Sequence, residues 1–314
     1  MRAPAGRLRV IVLGAGAGGG SPQWNCRCEV CEAVRSGVEG TSRRTQTALA
    51  VSSDGKRWVV INASPDLGEQ LLRTEALHPS DGLRSSPISA VVLTGAEIDQ
   101  CAGLLHLREG HSFSLYGSDG VHETLGKNQI FTALSPERVP RRSLPLEEST
   151  EVLGPDGEGL GIYIESFPVA GKIPLYEEGA STPDLDVVSD RTLGLRISSG
   201  GFGGFFFVPC CAVITPELSR RLKGAGGLFF DGTLYEDREL INAGLSHKTG
   251  RRMGHVSIGG PEGSLAGLRA LGIERKIFLH INNSNPILLP RSEARREVEA
   301  AGWEVAYDSM EFRW

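Results

Sequence analysis

Short apolar runs rich in Val, Ile and Phe, each closed off by Gly, Pro, Asp or Ser, recur along the whole chain and constrain its fold more than any other feature. Runs of this length and composition read as strands. They fall at residues 8–13, 47–51, 58–62, 88–94, 114–116, 161–167, 193–197, 205–208, 228–230, 276–281 and 303–307. Helical patterns lie between several of them, at 65–73, 98–109, 216–222, 236–243, 264–271 and 291–300. The early strands follow one another as in a meander, and the later ones alternate with helices. That mixture predicts an α/β fold of sheets sandwiched between helices, not a purely parallel doubly wound sheet. One domain spanning 1–314 is expected, with 1–7 as a flexible extension and 171–190, rich in Pro, Gly, Ser and acidic residues, as a loop or lid.

With 314 residues the chain can bury a sizeable core. A net charge of −5 and a pI near 5.9 argue against a nucleic-acid binder, whose affinity comes mostly from neutralised phosphates. No apolar run approaches the roughly 20 residues needed to span a bilayer, and a strand-like segment begins at Leu8 with no signal-peptide architecture before it. A reducing, cytoplasmic location fits best. Glycine is abundant at 41 residues, which suggests tight turns around a site more than a helical bundle.

Cys26, Cys28 and Cys31 form a C-x-C-x-x-C cluster. Three soft thiolates at this spacing can all reach one ion about 2.3 Å from each sulfur, as in a closed tetrahedral zinc site. The alternatives are free thiols or a disulfide, and adjacent sulfurs at C-x-C spacing are strained as a disulfide pair. Such a site staples a loop and leaves no open position for a substrate.

Gly14-Ala15-Gly16-Ala17-Gly18-Gly19 matches the G-x-G-x-x-G dinucleotide fingerprint directly after a strand. A true fingerprint opens a helix whose N-terminus holds the pyrophosphate. Here the glycines run into Gly20-Ser21-Pro22 and the cysteine cluster, so the expectation is that they let the backbone pass close to a neighbouring site.

Four segments bring ligand-type side chains to the ends of apolar strands. Val91-Val92-Leu93-Thr94 leads to Glu97, Asp99 and Gln100; Leu228-Phe229-Phe230 delivers Asp231; Arg251-Arg252-Met253-Gly254 precedes His255, before a helix near Gly260; and Ile277-Phe278-Leu279 delivers His280. Singly, each has a plain structural reading: Asp99 could serve only as a helix N-cap, and a histidine at a turn often just satisfies hydrogen bonds. Together, Asp and His at several strand ends fit iron, manganese or zinc. His106, on the helix after Gln100, is a further candidate.

The runs Gly18 to Cys28, Arg44-Thr45-Gln46-Thr47, Asn62-Ala63-Ser64-Pro65-Asp66, Phe230-Asp231-Gly232-Thr233, Lys248 to His255 and His280-Ile281-Asn282-Asn283-Ser284-Asn285-Pro286 resemble the coenzyme PQQ synthesis protein B family. The likeness extends from about residue 8 to the C-terminus. It implies a metallo-β-lactamase-like αββα sandwich and a role in making pyrroloquinoline quinone from a Glu- and Tyr-containing peptide. The implied activity is an iron- and O₂-dependent hydroxylation of the precursor's tyrosine ring, with carriage of the product toward export as an alternative role. Other pathway proteins and a second copy of the chain are among the partners it suggests.

By the same resemblance, Cys26, Cys28 and Cys31 would hold a structural zinc, with Asn283 as the fourth ligand through its amide oxygen. Asp99, Asp231 and His280 would hold the catalytic iron, with His255 nearby either as acid/base or as a support for the ligands. The family's carboxylate segment ends in a histidine, and Gln100 stands in that place. Its segment Pro-Gly-Cys-Ala reads Pro209-Cys210-Cys211-Ala212 here, adding a thiol at the same rim. Either Glu97 or His106 completes the metal site, or this member is altered in chemistry, acting on a different aromatic precursor or being catalytically silent. Hydrolysis by a metal-bound hydroxide normally needs a His-x-His-x-Asp-His rim, and Gly95 and Glu97 occupy its first two histidine places.

Overall fold

The computed structural model describes residues 8–172, 176, 188–200 and 202–314. Two seven-stranded sheets face one another. The first contains β1 (Arg9–Gly14), β2 (Ala48–Ser52), β3 (Trp58–Ile61), β4 (Ile88–Val92), β5 (Ser114–Gly117), β6 (Arg141–Ser143) and β14 (Glu311–Arg313), in the order β14-β1-β2-β3-β4-β5-β6. The second contains β7 (Ser149–Leu153), β8 (Gly159–Ala170), β9 (Val188–Ser199), β10 (Phe202–Val208), β11 (Leu228–Asp231), β12 (Lys276–Leu279) and β13 (Trp303–Val305), in the order β13-β12-β11-β10-β9-β8-β7. Each sheet is antiparallel where the chain meanders and parallel where helices intervene: β1 to β3 are antiparallel and β3 to β6 parallel, β7 to β10 antiparallel and β10 to β13 parallel.

Both faces of the central strands are buried, which is why the sequence shows continuous apolar runs and not a clean alternation. In β1, Val10 and Val12 enter the layer between the sheets while Ile11 and Leu13 pack outward. In β11, Phe229 faces inward and Leu228 and Phe230 outward. The outer face of the first sheet is covered by α2 (Leu67–Arg73) and α4 (Asp119–Gly126), through Leu67, Val121 and Leu125. The outer face of the second is covered by α5 (Pro216–Leu222), α7 (Ser264–Gly267) and α8 (Glu293–Ala300), through Leu218, Leu222, Leu265, Ala294 and Val298. This is the αββα sandwich the sequence implies. No helix among the described residues is long and apolar enough to cross a membrane.

Several elements differ from the sequence reading. The edge strands β6, β7 and β14 escape it because they carry few apolar residues; β6 is Arg-Arg-Ser. The helix α1 (Glu29–Arg35) hides inside the cysteine cluster, and α4 was not anticipated. β8 and β9 run for 12 residues each, longer than expected. The expected helices shorten: 98–109 becomes α3 (Ile98–Cys101) followed by 3-10 turns over Ala102–Leu107, and 236–243 becomes α6 (Glu239–Asn242). The helix expected at 264–271 starts where expected but becomes α7 (Ser264–Gly267) and a 3-10 turn over Arg269–Leu271. Of the expected loop or lid at 171–190, only Gly171, Lys172 and Tyr176 are described, along with the first residues of β9; the rest, like the extension 1–7, lies outside the described residues.

The loop after β1 is tied down by Asp308, a residue the sequence reading passed over. Its carboxylate accepts hydrogen bonds from the Ala15 N–H (3.1 Å), the Thr45 N–H and Oγ1 (2.8 Å each) and Arg73 Nη2 (2.9 Å). Asp308→Ala should therefore cost about 3 kcal/mol, because it strands buried backbone donors. A denaturant midpoint lowered at unchanged slope would register this. An unchanged midpoint would show that these donors find other partners.

Candidate metal centres

The three cysteines of the cluster meet at the start of α1: Cys28 is its N-cap residue and Cys31 lies in its first turn. Their sulfurs all lie within 4.8 Å of one another, and none is in a disulfide. Asn283, from the turn beyond β12, closes the cluster. Its backbone carbonyl accepts from Cys28 Sγ at 3.4 Å, and its side-chain Nδ2 lies 3.2 Å from Cys31 Sγ. The sequence therefore brings Asn283 to the cluster, but the oxygen facing the sulfurs is the main-chain one, and the amide presents its nitrogen.

The thiols of the cluster are electrostatically uneven. Burial pushes the Cys28 thiol up to about 12, with a contribution from the nearby Cys31. Burial acts the same way on Cys26, but hydrogen bonds from Cys28, Cys31 and Asn283 outweigh it and hold that thiol below its ordinary value. Three thiolates this close repel one another, and a cation at their centre reverses that logic.

A second cluster lies at one end of the sandwich, where the strand ends of both sheets open into a cavity of about 420 Å³. Asp231 is the last residue of β11, and His280 follows β12 with a left-handed backbone (φ 55°) that turns its side chain off the sheet. Such a conformation is uncommon for histidine and costs energy, and residues held this way concentrate at functional sites. Gly232 is required beside them: a Cβ there would sit 2.9 Å from the Phe278 Cβ and 3.0 Å from the Leu279 carbonyl. His255 follows the 3-10 turn Arg251–Met253 and Gly254, whose φ of 88° redirects the chain into the cavity.

These side chains form one hydrogen-bonded network. His280 Nε2 lies 2.9 Å from Asp99 Oδ2, and His255 Nδ1 lies 2.7 Å from Asp231 Oδ2. The two imidazole rings are stacked with centroids 5.1 Å apart. At the hub is Thr233, whose Oγ1 lies 2.6 Å from Asp231 Oδ1 and 2.8 Å from His280 Nδ1. The carboxylate of Asp231 is fully buried and also accepts from the Cys211 and Thr233 N–H groups. Asp231 thus orients His255 and Thr233, leaving His255 Nε2 as the ring nitrogen open to the cavity. Metal-bound histidines commonly donate their other N–H to a carboxylate in this way.

Burial alone would raise the Asp99 carboxyl, but the hydrogen bond and charge of His280 hold it below the usual carboxylate range. Burial likewise disfavours the charged imidazole, yet Asp99 raises His280 above its ordinary value.

Glu97 and Gln100 line the same cavity and cap α3 reciprocally. Glu97 pairs with Lys172 at 2.9 Å. Gln100 accepts from the Glu97 N–H at 3.3 Å and points its Nε2 toward Cys210 Sγ at 3.7 Å. His106 is different. It is exposed on the outer layer, with Nε2 3.2 Å from the Pro65 carbonyl, and does not line the cavity. The 3-10 turns that replace the expected long helix carry it away from the rim.

Two functional candidates were not assigned a role from sequence. Cys210 follows β10 and its sulfur lies within 4.8 Å of ring nitrogens of both His255 and His280. Thr233 stood in the quoted Phe-Asp-Gly-Thr run, but only the fold shows that one hydroxyl serves two strand ends. The glycine run after β1 does what was expected of it: no helix follows until Glu29, and Ala17, Gly18 and Gly19 form part of the cavity wall. At Gly14 a Cβ would lie 2.1 Å from the Gln46 carbonyl.

Residues 57–281 match the model of the β-lactamase superfamily domain. The chain is 47% identical over 307 residues to coenzyme PQQ synthesis protein B of Methylobacterium nodulans, covering 98% of this chain and 100% of that one. It is 50% identical over 306 residues to the protein of the same name from Gluconobacter oxydans, covering 98% of each. The crystal structure of zinc-bound PqqB from Methylobacterium extorquens superposes with a TM-score of 0.92 at 42% identity, covering 97% of this chain and 99% of that one. With its αββα sandwich, its cysteine cluster and its cavity of imidazole and carboxylate groups, this chain belongs to the coenzyme PQQ synthesis protein B family.

Proposed function

We propose that the protein is a metal-dependent, O₂-using hydroxylase acting on a peptide-derived aromatic precursor in pyrroloquinoline quinone biosynthesis. The observation that carries the reading is the cavity itself. Imidazole, carboxylate and thiol groups gather on one wall, while Lys172, paired with Glu97, and Lys248 contribute cationic side chains around it. A pocket of roughly 300–1,000 Å³ holds a small molecule, and this one suits an aromatic ring bearing several carboxylates.

The donor set fits a borderline divalent ion such as iron or zinc. His255 and His280 would hold it with Asp99 beside them, and a redox-active ion bound there would pass to O₂ the two electrons of an external reductant, one oxygen atom entering the ring and the other leaving as water. The chain's own groups do the rest. Asp231 fixes the His255 tautomer by accepting from Nδ1, so that Nε2 presents a lone pair to the cavity, as ligand or as the base that takes a ring proton. Thr233 locks both histidines against one hub, which limits their reorganisation. The cations orient the carboxylated precursor with its ring toward the donors. The cysteine cluster would hold zinc as a fastener of the loop that forms part of the cavity wall.

The test is to load the full chain with ferrous iron and supply a Glu–Tyr-derived precursor, a two-electron reductant such as ascorbate, and isotopically labelled O₂. Label entering the aromatic product is expected. Tight precursor binding without O₂ uptake would overturn the hydroxylase and favour a carrier. Lys248→Met should raise KM for the carboxylated precursor about tenfold, the effect of losing one charged hydrogen bond, with a smaller change in kcat. An unchanged KM would remove Lys248 from substrate recognition.

A further inference from the structure

We propose that Cys210 is itself a ligand of the cavity metal, filling with a thiolate the place that Gln100, a neutral amide, fills poorly. The inference rests on the reading that the cavity holds a metal, but not on the reaction that metal performs.

The geometry carries it. Two ligands of one ion lie about 2.0–2.3 Å from it, so they cannot be much more than about 4.6 Å apart. The Cys210 sulfur and one ring nitrogen from each of His255 and His280 all lie within 4.8 Å of one another. Among the described residues these three and the N-terminal cysteines are the groups that meet this condition. Asp99, 2.9 Å from His280 Nε2, stands beside that ring but outside the set of three.

The adjacent cysteine shows that this placement is specific to one thiol. Cys211 is buried in the outer core, where its sulfur donates to the Val213 carbonyl at 3.3 Å. Its N–H is bound by Asp231 Oδ2 at 2.8 Å. That bond pins the turn after β10 to the carboxylate that also orients His255, and so places Cys210 opposite the histidines. The Cys210 sulfur lines the cavity, with the Gln100 amide nitrogen at 3.7 Å as its neighbour. An amide N–H cannot coordinate, but it can hydrogen-bond a metal-bound thiolate, as the partners of coordinated groups often do.

On binding, the thiol gives up its proton to solvent as the sulfur–metal bond forms, so one proton is released for this ligand. The donors become one sulfur and two imidazoles. Soft thiolate shifts preference toward zinc, cobalt or iron and away from magnesium and manganese.

The test uses full-length protein carrying one zinc in the cysteine cluster, titrated with cobalt(II). One further equivalent should bind with a sulfur-to-cobalt charge-transfer band in the near ultraviolet. Cys210→Ala should bind that equivalent at least about tenfold more weakly, without the band, while keeping the first zinc and the wild-type circular dichroism. The double variant Cys210→Ala/Gln100→His should regain affinity and still lack the band. Cobalt binding to the wild type without the band, or Cys210→Ala with affinity and band intact, overturns the thiolate ligand while leaving the cavity metal standing. No second equivalent in the wild type overturns both.

Discussion

Cys28→Ser should abolish the zinc binding proposed for the N-terminal cluster and lower the melting temperature by about 10 °C. The serine hydroxyl is a poor zinc ligand at neutral pH. Removing it from a set of three sulfurs and the Asn283 carbonyl leaves too few donors for a closed site. Zinc that binds the folded and not the unfolded chain stabilises by about 4 kcal/mol when free metal exceeds its dissociation constant roughly 1,000-fold. At roughly 2–4 °C per kcal/mol for a chain of this size, that gives the expected shift. The loss should spread beyond the loop, because the cluster joins α1 to the turn after β12, which also bears His280. Metal content and a thermal melt on the same sample check it. Unchanged zinc in the variant would mean that the sulfurs are not its ligands.

The central strands were legible in the sequence because burial on both faces leaves continuous apolar runs. The edges were not. β6 is entirely polar, and β14 has Phe312 as its one apolar side chain, packed into the inter-sheet core, so neither carries a pattern long enough to read. Helix lengths failed for a related reason. A helical pattern such as 98–109 marks which side of the chain faces the sheet, yet α-helical and 3-10 turns bury much the same side chains. Gly103 shows what decided it: a Cβ there would lie 2.0 Å from the Ser64 carbonyl, so close contact with that loop governs the backbone.

The site was legible where ligand-type residues end apolar strands. Asp231, His255, His280 and Asp99 do converge, across segments far apart in sequence. Illegible were the groups whose role depends on contacts between segments. Thr233 looks like any turn residue until the two histidines are seen on its hydroxyl. Cys210 and Cys211 are chemically identical in the sequence, and only the turn after β10, pinned by Asp231 through the Cys211 N–H, makes one a cavity residue and the other a core residue. His106 erred the other way, because adjacency to Gln100 in sequence does not survive the change of helical pitch.

His280→Asn should abolish stoichiometric metal binding in the cavity while leaving the cysteine-bound zinc in place. Asparagine is chosen because it tolerates the left-handed backbone that His280 adopts, so the variant can keep the turn after β12. What it loses is the imidazole, with its bonds to Asp99 at Nε2 and to Thr233 at Nδ1. Changing a residue that merely supports a ligand typically costs about 10–100-fold in metal affinity, and removing a ligand should cost more. The metal-stripped proteins give an independent readout. The folded carboxyl of Asp99 is depressed, so its stabilisation is present above the unfolded carboxylate pKa and is lost as the pH falls through the folded one. The folded imidazole of His280 is raised, so its stabilisation is present below the unfolded histidine pKa and is lost as the pH rises through the folded one. The stability gap between wild type and variant should therefore be widest between about pH 4 and about pH 6.5 and narrow on either side. A gap that does not vary with pH would mean that the Asp99–His280 pair is not charged in the folded protein, and cavity metal retained by the variant would remove His280 from the ligand set.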